Sequence, residues 1–186
     1  MPDLHPLWVV VGLGGSGKTT VVAEVIKRVQ GLQELVSITT RPMRAGETQG
    51  HPYRFTSHSE FTFMSNWGLF LQQSEFGGYL YGITEGEAES KLMTGPAIAI
   101  VVGDSIEDFK RGLPNPVYSI YLQTSLQNCV HRMRDLRGDS GEVMTERVRA
   151  DRAIFPYRDK TDFVVDNNGD LELAVSEVVR IICGTP

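Results

Sequence analysis

The chain has 186 residues, 41% hydrophobic and 22% charged, with a formal net charge of -5. That length suits one domain with a substantial core, and the acidic balance runs against nonspecific nucleic-acid binding, which shows as a basic excess. No apolar run approaches the roughly 18 residues of a membrane span, the opening residues lack the segments of a secretory leader, and Cys129 and Cys183 make no disulfide framework, so a cytoplasmic protein with reduced, chemically idle thiols is expected.

Taken in chain order, LWVVV at 7–11 is a short continuous apolar run, the pattern of a strand buried on both faces. A glycine-rich turn follows. Val21, Val22, Val25, Ile26 and Val29 then recur at helical spacing until Gly31. LVSIT at 35–39 reads as a second strand. Residues 41–56 read as loop, ending in a short strand at YRF. Ser59 reads as the cap of a short helix, LFLQQSEF at 69–76 as a strand, and GGYLYG as a turn leading out of it. TEGEAESKLMTG is a predicted helix with acids in its first turns, where the dipole favours them. AIAIVV at 97–102 is a strand, SIEDFKRG a helix closed by Gly112, and VYSIYL at 117–122 a strand. SLQNCVHRMRDLRG and EVMTERVRADRAI are predicted helical. DFVVDN at 162–167 is the last strand, and DLELAVSEVVRIIC the closing helix. Strands alternating with helices predict an α/β fold on a parallel sheet. The stretch 41–94 interrupts that rhythm as a small lobe.

Gly12, Gly17, Lys18 and Thr19 satisfy G-x-x-x-x-G-K-[ST], between a strand and a helix as the motif requires. Glycines let successive backbone N–H groups turn toward one anion, and the helix adds its positive end. Gly12, Gly14, Gly15, Ser16, Gly17, Lys18, Thr19 and Thr20 therefore form a predicted ATP cradle. Lys18 is expected at the β- and γ-phosphates, and the Thr19 hydroxyl on Mg²⁺.

A second anion site is read in SITTRPMRAGETQGHPYRF at 37–55. Arg41 and Arg44, followed by Glu47 and Tyr53, set two guanidinium forks near a phenol, a set that suits the several acceptor oxygens of a phosphate monoester. The alternative is a solvated basic loop. YLYG adds Tyr81 as a second phenol. His5, His51, His58 and His131 show neither triad nor metal spacing.

With these residues the sequence resembles the guanylate kinase family. SITTRPMRAGETQGHPYRF is similar to the family signature S-x-T-T-R-x-P-R-x-G-E-x-x-G-x-x-Y-x-F, with the proline one place early at Pro42, and YLYG to its Y-Y-G element. RMRDLRG with Arg147, and FVVDNNGDLELAV, fit more loosely. The resemblance implies phosphorylation of GMP or dGMP with ATP and Mg²⁺. It implies a P-loop NTPase-type parallel sheet flanked by helices, with a small mixed α/β acceptor-binding lobe and a helical lid. The core would be 1–40, 95–130 and 155–186, the lobe 41–94 and the lid about 131–154. By position, Arg41, Arg44, Tyr53 and Tyr81 would hold the acceptor phosphate and Ser37 the base. Lys18, Arg137 and Arg147, with Arg44, would offset charge on the moving phosphoryl group, and Asn167 would lie by the adenine. Arg134, Arg149 and Arg152 are equally well read as solvated helix charges.

The base pocket departs from the pattern. Gln72 stands nine places before Tyr81, where the family has a glutamate, unless a register slip puts Glu75 in that role; an amide offers one acceptor and two donors where a carboxylate only accepts. Ile83 follows Gly82 where a hydroxyl is expected. Val101 and Gly103 stand where the strand acids are expected; Asp104 just beyond either replaces one of them near the metal or caps the next helix. The leading expectation is an ATP-dependent nucleoside monophosphate kinase, with GMP or dGMP as the default acceptor, monomeric or homodimeric and without a nucleic-acid or membrane partner. The alternatives are a kinase for a non-guanine or modified base, a ribose bisphosphate-type kinase, and a noncatalytic guanylate-kinase-like binding module.

Overall fold

The computed structural model describes residues 4–44, 46–101, 105–137 and 155–185, the side chains at 136, 137, 155 and 156 excepted. Its elements are β1 (Leu7–Val11), α1 (Lys18–Arg28), β2 (Gln33–Leu35), β3 (Ile38–Thr39), β4 (Arg54–Phe55), α2 (His58–Asn66), β5 (Phe70–Phe76) and β6 (Tyr79–Thr84). There follow α3 (Glu85–Leu92), β7 (Ala97–Ile100), α4 (Ile106–Gly112), β8 (Val117–Gln123), α5 (Leu126–Arg137), a 3-10 helix (Phe155–Lys160), β9 (Phe163–Asp166) and α6 (Leu171–Gly184).

Five strands form a parallel sheet in the order β2-β7-β1-β8-β9. Every residue of the central β1 is buried because helices cover both faces. Alternate β1 side chains go to opposite sides. Leu7, Val9 and Val11 join Ala88, Leu92, Phe109, Cys129 and Met133 of α3, α4 and α5. Trp8 and Val10 join Val21, Val22 and Val25 of α1 and Val175, Val178 and Ile182 of α6. Each fully buried side chain of this kind contributes about 2 kcal/mol.

The second sheet is mixed, in the order β4-β3-β6-β5, with β3 and β4 parallel and the other pairs antiparallel. Three sequence expectations change here. The segment 35–39 is not one strand: β2 belongs to the large sheet and β3 to the small one, with Val36 and Ser37 between them. YLYG is not a turn but the body of β6. The turn is Gly77–Gly78, whose φ values of 59° and 76° give the two-residue hairpin that matches strand twist. The cap of α2 is Ser57, not Ser59. Ser57 accepts from the Glu60 N–H while Glu60 accepts from the Ser57 N–H, the reciprocal pair that S-x-x-E allows. Helix α2 covers one face of the small sheet, stacking Phe61 on Phe70 with ring centroids 4.4 Å apart. Gly112 ends α4 as expected, and it also packs: a Cβ there would lie 2.5 Å from Leu71 Cδ1 of β5.

Candidate active site

The P-loop begins where β1 ends, at the carboxyl edge of the parallel sheet, the usual ligand crevice of such sheets. Gly15 and Gly17 have φ of 79° and 93°, in the left-handed region that side chains disfavour. Space excludes larger residues as well. A Cβ on Gly15 would lie 2.6 Å from the Cys129 carbonyl of α5, and one on Gly17 would lie 2.7 Å from Asn167 Nδ2. The loop is thus pressed between α5 and the turn after β9. The Ser16 carbonyl accepts from Asn167 Nδ2 (2.7 Å), Arg132 (3.2 Å) and Thr124 Oγ1 (3.2 Å). A trans peptide sets C=O and N–H on opposite sides, so fixing this carbonyl turns the Gly17 N–H toward the other side. Helix α1 starts there with no acid in its first turn, an N-terminus suited to an anion. Lys18 Nζ folds back to donate to the carbonyls of Gly12 (2.8 Å) and Leu13 (2.9 Å). Thr19 and Thr20 are exposed in the first turn.

The small sheet supplies the second cluster. Register pairs Thr39 with Tyr81 and with Phe55, Ser74 with Tyr81, and Gln72 with Ile83. Paired residues share a face and strand neighbours alternate. Ser37, Thr39, Tyr53, Tyr81, Gln72 and Ile83 therefore lie on one face, opposite the face that α2 covers. The Tyr53 and Tyr81 rings meet edge to face at 5.7 Å, and the Arg41 guanidinium lies 5.3 Å from the centre of Tyr53.

Arg41 is buried. It donates to both Glu47 oxygens (2.8 and 2.9 Å) and to the Pro42 carbonyl (2.7 Å). Glu47 also accepts from the Arg44 backbone N–H at 2.8 Å. The Arg44 guanidinium makes no hydrogen bond among the described residues, so it is the available cation of the loop. Burial pushes the Tyr53 phenol up to about 12, with Tyr81 adding to it and the arginines opposing. Burial also raises Tyr81, so both phenols are protonated donors near neutrality. For Glu47, burial raises the carboxyl, but the Arg41 hydrogen bond, the Arg44 N–H and both arginine charges outweigh it and hold it below its ordinary value.

At the far end of this face Gln72 is buried and donates from Nε2 to Ser105 Oγ at 2.6 Å, joining β5 to the start of α4. Ile83 is fully buried in the core cluster and offers no surface or polar atom. Asn167, expected beside adenine, is buried with its amide on the P-loop. Arg134 is exposed and paired with Asp135. The Arg137 side chain, Arg147, Gly103, Asp104, Arg149 and Arg152 lie outside the described residues.

Two groups escaped the sequence reading. Arg132 bonds the Ser16 and Asn167 carbonyls and makes no ion pair among the described residues. Its signal was an arginine at helical spacing beside Cys129 and Met133, the face of α5 that turns inward. Ser105 had no signal, since its partner is 33 residues away. Among the described residues no helix is long and apolar enough to cross a membrane, and no group of three acids, histidines or cysteines is set to hold a metal.

Similarity to known proteins runs along the whole of this framework. The guanylate kinase of Legionella pneumophila (strain Paris) is 28% identical over 177 residues, covering 95% of this chain and 84% of that one. That of Alcanivorax borkumensis is 27% identical over 183 residues, covering 98% and 88%. The crystal structure of guanylate kinase from Anaplasma phagocytophilum superposes with a TM-score of 0.76 at 21% identity, over 97% of this chain and 86% of that one, a likeness of fold. The guanylate kinase family model matches residues 5–184, which takes in both the P-loop and the Arg41–Tyr81 face. A match of that extent, over a chain that carries both a P-loop and an arginine–tyrosine cluster, places the chain in the guanylate kinase family of nucleotide phosphotransferases.

Proposed function

We propose that the protein is an ATP-dependent guanylate kinase, transferring the γ-phosphoryl group of ATP to GMP or dGMP. The observation that carries this reading is the presence in one chain of a P-loop opening α1 and of an arginine–tyrosine cluster on the small sheet that begins just after β2. The relatives described above are guanylate kinases, which supports guanine as the base and lends nothing to a non-guanine acceptor. The formed loop with Lys18 argues against a noncatalytic module, and the paired phenols of Tyr53 and Tyr81 argue against a sugar-phosphate acceptor.

In this mechanism a phosphate oxygen of GMP attacks the γ-phosphorus of ATP in line. The bond from that phosphorus to the β–γ bridging oxygen breaks, leaving ADP and GDP. The work is positioning and charge stabilisation. The loop N–H groups and Lys18 hold the triphosphate, with Lys18 exchanging its loop carbonyls for phosphate oxygens. Arg41, Tyr53 and Tyr81 donate to the monoester, and Arg44, whose guanidinium makes no hydrogen bond among the described residues, adds a further cation. Ser37 and Gln72 lie at the base end. Thr19 is the hydroxyl that would hold Mg²⁺, which when bound offsets phosphate charge. Arg137 and Arg147, and Asp104 as a second metal-side group, are assigned by position in the sequence alone. The division into core, acceptor lobe (41–94) and lid (about 131–154) and a cytoplasmic location belong to the same reading.

A coupled assay of ATP consumption with GMP and dGMP tests it. Lys18→Ala should lower turnover by about a thousandfold, the scale for losing a fixed group that stabilises developing charge, while GMP binding persists. Turnover that survives this change sinks the mechanism.

A further inference from the structure

Resting on the guanylate kinase reading, we propose that Gln72 recognises the base through its lactam edge, O6 together with N1–H, and not through the exocyclic 2-amino group. The pocket then accepts a 6-oxopurine monophosphate with or without that amino group. Gln72 sits two residues beyond Ser74, the partner of Tyr81, on the same face of the small sheet. That is about 7 Å from the phenol cluster along the strand, the separation a ribose fills between phosphate and base.

The side chain is already oriented. Gln72 Nε2 donates one N–H to Ser105 Oγ at 2.6 Å, and the Ser105 side chain caps no backbone N–H of α4. Gln72 Oε1 makes no hydrogen bond among the described residues and is not a sealed atom, unlike Trp8 Nε1 and Ser16 Oγ. With one N–H held, the amide presents its second N–H beside Oε1, a donor next to an acceptor. The complement is an acceptor next to a donor, as in a lactam: Nε2–H donates to O6 and Oε1 accepts from N1–H. The edge made of N1–H and the 2-amino group carries two donors, so it would set a buried donor against a donor. Among the described residues, the neighbour paired with Gln72 in the sheet is the fully buried Ile83, whose side chain offers the amino group no acceptor. The Ser37 hydroxyl donates and accepts alike and favours neither purine.

The test compares kcat/KM for GMP and inosine monophosphate in the wild type and in Gln72→Glu. Inosine monophosphate should be used within about tenfold of GMP, and Gln72→Glu, which restores two acceptors, should raise the preference for GMP by about tenfold or more. A wild type that prefers GMP by about 100-fold, or a ratio that the variant leaves unmoved, overturns the proposal while leaving the kinase reading intact. Failure to phosphorylate either nucleotide overturns the kinase reading, and this one with it. The wild-type comparison, repeated as direct binding of the two monophosphates, decides the matter even if a buried carboxylate at 72 prevents folding.

Discussion

Glu47 accepts from the Arg41 guanidinium and from the Arg44 backbone N–H, so one carboxylate shapes the loop that carries both arginines. Its folded-state pKa lies below the unfolded value. The stability it contributes is therefore present above the unfolded carboxylate range and disappears as pH falls through the lower folded value. Glu47→Gln should cost about 1.5–3 kcal/mol at pH 7, the scale of a hydrogen bond to a charged group. Urea unfolding should show the difference from wild type closing as the solution is acidified below the carboxylate range. At this scale the sequence was legible where partners are close in the chain. Arg41 and Glu47 are six apart and could be read as one loop. The Ser105 hydroxyl on Gln72 and the Arg132 guanidinium on Ser16, 33 and 116 residues away, depend on how strands and helices are brought together, which spacing does not encode.

Helix α2 shows the same limit one level up. Its existence was readable from the polar start and the aromatic run, but its first residue was set by the reciprocal bonds of Ser57 and Glu60. Ser57→Ala should cost about 1 kcal/mol of stability, measured by urea unfolding, whereas Ser59→Ala should cost little. The β1 strand was fully legible, because a short apolar run with no alternation has to be covered on both sides. The β5–β6 hairpin was missed although its turn carried the signal: two glycines between apolar-alternating runs are the pattern of a tight two-residue turn. The break at Val36–Ser37 had no comparable mark. Nothing in LVSIT distinguishes a strand that stays in one sheet from a chain that changes sheets.

Across the molecule, the two sheets are parts of one folded chain, and a ligand that binds the folded small sheet should stabilise the whole. GMP at 100 times its Kd adds about 2.7 kcal/mol, a rise in Tm of about 5–10 °C for a chain of this size. Arg44→Ala should lower the unliganded Tm only slightly, since its guanidinium makes no hydrogen bond among the described residues and acts on Glu47 through its charge alone, and should diminish the GMP-induced rise. Differential scanning calorimetry with and without GMP reads both. An equal rise in wild type and variant would remove Arg44 from the monoester site.

The passage of the chain from β2 into β3 has a mechanical consequence. The small sheet hangs from the large one at that link and at its return through α3 into β7, so two covalent attachments define an axle. Ser37, Ile83 and Gln72 lie near this axle, and Gln72 is tethered across it to Ser105. Arg41, Tyr53 and Tyr81 lie farther out along the strands. Any swing of the sheet then carries the outer residues through the longer arc. On the proposed assignments, such a swing would displace the phosphate-side residues Arg41, Tyr53 and Tyr81 more than the base-side residues Ser37 and Gln72.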